Sequence, residues 1–423
     1  MKKVFQSRDA QIALGLSAAI FLLYLLTLAP DVVDGDGGEF QFAAWNFSFV
    51  HPTGYPLYLI LGGVFQHLLA FVSTPAYWLN FFTALNAAGA VGFIYLIVRQ
   101  VSASQRAAML AAFSFGVSRM FWFDALAAEA YALHAFFVAL LIWLALRWQN
   151  DPSTENLTWF ALTFGFALTH HRSIILWIPA FALFFGMVWR KQRASTPSQT
   201  LAATRSARAV LRFAFYLLMP LLLYLYIPIR APLAPYANFS ISSNQQISLY
   251  DNTVTGFSNY VLGRSFQSEL RWDATSAARL AAFPQLLFDQ FTFVGVALGL
   301  LGIIAMMKRR AWARLILLSV GALTNLFFAA SYHIGDIAHY YIPIYLVVAI
   351  WIGAGLAFIF EWLASFRTRF QLDHPPVVCA FFFAVVFFLS NCGRYGSPVP
   401  PEARSPAPTP KLEVRAAKGG VTF

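Results

Sequence analysis

Along the chain, long apolar runs alternate with short polar breaks. Apolar runs of about 17 to 25 residues predict membrane-crossing helices. Such runs, some shorter, lie near 12–29, 78–98, 107–123, 130–147, 157–169, 173–189, 213–229, 286–307, 313–331, 341–363 and 376–391. A further stretch, "PLYLILGGVFQHLLAFV" (56–72), is apolar too but carries Gln66 and His67. Charge separates it from the others. With the N-terminus in the cytoplasm and 56–72 not crossing, the cytoplasmic breaks hold 18 Lys and Arg. The external breaks before the C-terminal tail then hold 6. If 56–72 crossed, "RKQR" and "KRRAWAR" would fall outside, against the positive-inside rule. The pattern therefore predicts about eleven spans, with 56–72 lying in the external interface or dipping in and returning.

Composition agrees with this class. Hydrophobic residues make up 59% of the chain and charged residues 11%, below the roughly 25% of a soluble domain. The net charge of +11 sits in breaks between spans, where it sets topology, so no nucleic-acid partner is implied. Two cysteines, Cys379 and Cys392, define no disulfide framework. The opening "MKKVFQSRDAQ" precedes a long apolar run without a small-residue cleavage site, so it reads as an uncleaved first helix. Residues 1–391 read as one transmembrane domain and 392–423 as a Pro-rich, disordered tail.

The unusual residues gather on the external side. The first large loop, 30–77, opens with "DVVDGDGGEF". Asp36 and Glu39 at i, i+3 would share one face of a helix starting there. Crowded carboxylates raise at least one pKa unless a cation or proton is shared, which suits a general base with a hydrogen-bonding or metal-binding partner. A divalent cation is possible but not implied. "HPTGYPLY" places His51 near that pair. "THHRS" supplies His170, His171 and Arg172, a cation able to meet an anion such as phosphate. "AEAY" offers Glu129 and Tyr131, "IPIRAP" offers Arg230, and "GDIAHYYIP" offers Asp336, His339 and Tyr340. One aqueous pocket on one side of the membrane accounts for all of them.

"TLAP…GDGGEF…HPTGYPLYL" resembles the opening of the transmembrane-protein-260-like family of multi-span glycosyltransferases (protein O-mannosyltransferase-like). The likeness continues through "EAYALHAFFVALLIWLALRW", "GFALTHHRSIILWIPA", "YLYIPIRAPLAP" and "YHIGDIAHYYIPIYLVVAIWIGAGL". It implies an all-α polytopic fold of GT-C type. It implies a bacterial-type plasma-membrane transferase moving a mannose-like hexose from a polyprenyl-phosphate donor to a hydroxyl acceptor on protein or glycan. In that reading Asp36 and Glu39 are catalytic. His51, Glu129, Tyr131, His170, His171, Arg172, Arg230, Asp336 and Tyr340 bind substrate. The competing readings are a transporter or flippase of lipid-linked sugars and a non-catalytic binder of them; a transporter would show ionisable residues at mid-membrane.

Overall fold

The structure is a computed structural model that describes residues 8–195, 207–234, 238–242, 245–248, 250–370 and 414–416. The expected run at 376–391 lies outside the described residues. Among these residues, eight helical stretches are long and apolar enough to cross a membrane. Every run predicted within the described part corresponds to helix. α1 (Arg8–Leu25), α4 (Pro75–Ser102) and α7 (Ala130–Asn150) are continuous. α8 (Thr154–His170) has 17 residues. The run at 107–123 breaks into α5 (Gln105–Gly116) and α6 (Arg119–Ala125), where Val117 and Ser118 leave the helix and Ser118 takes an extended conformation.

α9 (Ile178–Ser195) follows a 3-10 turn at Arg172–Trp177, and α10 (Ala207–Leu218) runs on through a 3-10 segment to α11 (Tyr226–Arg230). α13 (Ala274–Lys308), α14 (Trp312–Ser331) and α15 (Ile342–Phe370), the last preceded by a 3-10 turn at Ile337–Tyr341, complete the bundle. The second large loop adds α12 (Val254–Val261) and a small antiparallel sheet. In that sheet β1 (Asn238–Ser242) and β2 (Gln245–Ser248) form a hairpin, and β2 also pairs with β3 (Val414–Ala416) from the tail segment.

Burial orders the bundle. The apolar windows of α15, α7 and α4 are 83%, 78% and 67% buried, whereas those of α1 and of the α10–α11 stretch are 17% and 11%. The first three form the centre, and the others turn side chains such as Leu211, Phe215 and Leu222 outward, as lipid-facing helices do. α13 and α15 approach backbone to backbone through glycine. A methyl on Gly302 would stand 1.9 Å from the Trp351 carbonyl oxygen, and one on Gly355 2.1 Å from that of Leu298. Small residues are what such close membrane helix contacts require.

The stretch at 56–72 forms α3 (Pro56–Leu69), 14 residues long. At about 1.5 Å per residue it cannot cross a hydrocarbon core of about 30 Å. Its buried face, with Leu57, Tyr58, Leu59 and Gln66, packs on α2 (Asp36–Trp45) and α4, while Leu61, Val64 and Leu68 stay exposed. This is an interfacial helix, and it forms part of the wall of the loop that carries the acids.

Candidate functional site

α2 starts at Asp36, after Gly35 turns the chain with a φ of 70°. That positive φ favours glycine. A methyl on Gly38 would lie 2.4 Å from the Val33 carbonyl oxygen, so the loop can fold back on the helix start only with glycine there. Behind the helix lies a buried amide lattice. Asn80, from the middle of an apolar run, donates to the carbonyls of Ala29 (2.9 Å) and Asp31 (3.1 Å). Its Oδ1 accepts from Gln41 (2.8 Å) and from the Ala128 amide (2.9 Å). Gln66 donates to the carbonyls of Gln41 and Pro75. These three amides fix α2, α3, α4 and residue 128 in one frame, and buried amides in that number require such pairing.

Asp36 and Glu39 project from the first turn of α2, where the helix dipole favours negative charge. Glu39 accepts from the His51 backbone at 2.9 Å and from His51 Nδ1 at 2.5 Å. His51 Nε2 lies 3.9 Å from Asp36 Oδ2. Burial, chiefly, raises the Asp36 carboxyl above the usual range; Glu39 and Asp336 add to it and His51 opposes it. For His51, burial acts downward, but the Glu39 hydrogen bond and charge outweigh it and the ring titrates higher than usual. One ligand atom from each of Asp36, Glu39 and His51 lies within 4.8 Å of the others, so the trio could hold a divalent cation. Such an ion would replace the Glu39–His51 bond.

A second group faces this one. Tyr55, at the start of α3, has its ring 5.3 Å from His51 and 5.7 Å from His171. Tyr131 lies 5.3 Å from His171, 5.4 Å from Tyr340 and stacks flat on His339 at 4.6 Å. His339 Nδ1 donates to Asp124 Oδ1 at 2.6 Å. Glu129, the N-cap residue of α7, is only partly exposed, and desolvation pushes its carboxyl up to about 8; Asp124, Asp36 and Asp336 add to this and His339 opposes it. Asp336 is exposed at the start of the turn that bears His339, near enough to act on Asp36. His170 Nε2 donates to the Ala130 carbonyl (2.7 Å), and His171 Nδ1 pairs with Ser173, which also meets His134.

The structure thus brings Asp36, Glu39, His51, Glu129, Tyr131, His171, Asp336 and Tyr340 into one cluster, with His170 behind it. The two arginines bind backbone carbonyls. Arg172 donates to the Val261 carbonyl at 2.7 Å. Arg230 donates to those of Phe47 (2.6 Å) and Asn46 (2.9 Å), closing the C-terminal end of α2. Both clamp the second large loop to its surroundings. Asp124, Tyr55, His134, Ser173 and the amides Gln41, Gln66 and Asn80 escaped sequence reasoning. The one available signal was a polar residue isolated in an apolar run, as in "WLNFF" and "FWFDAL".

Residues 36–196 match the family described as "Protein O-mannosyl-transferase TMEM260 N-terminal domain". Over that stretch the chain is similar to a TMEM260-type N-terminal domain. This bears out the likeness seen in the motifs, and the domain contains α2, α3 and most of the pocket. The chain is 32% identical over 165 residues to the mouse protein named Protein O-mannosyl-transferase TMEM260, covering 38% of this chain and 23% of that protein. Over 304 residues it is 23% identical to the like-named protein of Dictyostelium discoideum, covering 67% and 35%. The chain therefore spans about a quarter to a third of the length of these relatives. The chain shares its fold with ArnT from Cupriavidus metallidurans bound to undecaprenyl phosphate: TM-score 0.56, 14% identity, covering 92% of this chain and 71% of ArnT. The apo ArnT structure gives 0.55. The fold is of GT-C type, and the protein is an integral, multi-pass membrane protein.

Proposed function

We propose that this protein is a membrane glycosyltransferase. It moves a mannose-like hexose from a polyprenyl-phosphate donor to a hydroxyl acceptor on protein or glycan at the external face. The observation that carries this reading is Asp36: a partly buried carboxyl with a raised pKa, at a helix start in the first external loop, backed by the Glu39–His51 pair. The names of the sequence relatives and the lipid phosphate bound by ArnT support it. So does the placement of the ionisable groups at helix ends rather than at mid-membrane, which disfavours a transporter.

In this reaction Asp36 takes the proton of the acceptor hydroxyl as its oxygen attacks the sugar C1. The bond from C1 to the phosphate oxygen breaks, and its electron pair leaves with the polyprenyl phosphate. His51 orients Asp36 and is itself held by Glu39. Tyr131, Tyr340, His171 and Glu129 line the place where the sugar sits. The test is transfer from a polyprenyl-phosphate hexose by purified wild type and Asp36→Asn. A general base contributes about 10²- to 10⁴-fold, so the variant should lose that much. Wild-type rates in Asp36→Asn would sink the assignment. Orientation is tested by a cysteine at position 74, which should react with an impermeant thiol reagent applied from outside.

A further inference from the structure

Behind the Asp36 cluster sits a carboxylate that the reaction as written does not use. Asp124 is wholly buried, and so are its neighbours Phe121 and Ala125. An ionised carboxyl in such a place needs a counter-charge. His339 supplies it, with Nδ1 2.6 Å from Asp124 Oδ1. A carboxylate can only accept, so the Nδ1 hydrogen belongs to this bond. The opposite edge of the ring, with Nε2, has no hydrogen-bond partner among the described residues. The ring is set from both sides: Asp124 holds Nδ1 and Tyr131 lies flat on its face, 13° from parallel. Its side chain keeps 10% of its surface accessible. The groups that feel the His339 charge include Asp36 and Glu129, the acids of the candidate site.

A departing lipid phosphate needs a positive donor in the same pocket. Arg172 and Arg230 spend guanidinium hydrogens on the backbone of Val261, Phe47 and Asn46. Glu129, protonated up to about pH 8, adds no negative charge there at neutral pH.

We propose that His339, held by Asp124, donates its Nε2–H to a non-bridging oxygen of the donor phosphate while the sugar is transferred. This rests on the glycosyltransferase reading above. The bond between C1 and the bridging phosphate oxygen breaks, and the electron pair stays on the phosphate. The acceptor oxygen forms the new bond to C1, and its proton goes to Asp36. His339 transfers no proton; it stabilises the charge that grows on the phosphate, in the manner of an oxyanion donor. Asp124 is a positioning residue that keeps the ring charged and correctly turned. The titratable groups around the ring are Asp36, Asp124, Glu129, Asp336, Tyr131 and Tyr340.

The test compares wild type, His339→Gln and Asp124→Asn, each checked for a wild-type elution profile. Loss of one such donor costs about 10²- to 10³-fold in kcat, so His339→Gln should fall by that factor with acceptor KM unchanged. Asp124→Asn should move the alkaline limb of the kcat profile to lower pH, because the ring then loses its proton earlier. A kcat within twofold of wild type in His339→Gln overturns the inference. If that variant does not fold, an unshifted alkaline limb in Asp124→Asn overturns it. If wild type transfers no sugar, the glycosyltransferase reading fails instead. Binding of undecaprenyl phosphate in detergent then decides about His339: weaker binding by His339→Gln supports it and equal affinity overturns it.

Discussion

The two ends of the bundle handle buried charge differently. At the end where α1 begins, Asp9 meets Arg99 Nε at 2.8 Å and accepts from the Tyr95 hydroxyl at 2.7 Å. Nearby, Arg314 is occupied by Gln149 and by the Gln100 carbonyl, and Arg309 by Glu361. Asp9 and Glu361 each have their own arginine there, while Asp151 is held by Ser153 and Asn156. At the other end Asp36, Glu39, Asp124, Glu129 and Asp336 share two imidazoles, His51 and His339. Acids paired with permanent cations are locked as anions, which anchors helices. Where acids outnumber titratable partners, protons stay exchangeable, and burial raises the Asp36 and Glu129 carboxyls, as a reaction site requires.

Asp36→Asn should break the comparison most sharply, with about 10²- to 10⁴-fold less transfer and an unchanged melting temperature. Next comes the frame. Asn80→Ala would strand the Ala29 carbonyl and the Ala128 amide and remove the shortest contact of the Gln41 amide. An unsatisfied buried group costs about 1–3 kcal/mol, so thermal unfolding should shift by several degrees and activity should fall with it. A melting temperature equal to wild type would show that the lattice does not hold the loop.

The third test is pH. Glu129 keeps its proton in the folded protein up to about 8, against 4.5 when unfolded. Between these values the folded state holds the extra proton, so its stabilising contribution is complete below about 4.5 and declines as pH rises toward 8. Melting curves should show that decline in wild type and a flatter profile in Glu129→Gln. Parallel profiles would place the proton elsewhere. The smallest effect belongs to the anchoring end. Arg99→Met removes a partly exposed ion pair worth on the order of 1 kcal/mol and should leave kcat unchanged. A large fall in kcat would erase the difference between the two ends.

Much of this was legible in the chain. Span positions followed from run length, because hydrocarbon admits only backbone that bonds within its own segment. The exclusion of α3 followed from basic residues far from it in sequence. "DGDGGEF" announced Asp36 and Glu39, since glycine and acids at a span exit have few structural uses. The carbonyl partners of Arg172 and Arg230, 89 and 183 residues away, are invisible in sequence.

By itself the sequence determined which segments are apolar enough to enter the membrane and which residue types crowd the breaks between them, because both depend on local composition. Only the tertiary structure decided which of those residues meet. Asp124 and His339 are 215 positions apart, and Asn80 joins residues 29, 31, 41 and 128. A hydrogen bond depends on ångström distances, and those arise only when the central helices pack and carry their ends to one place.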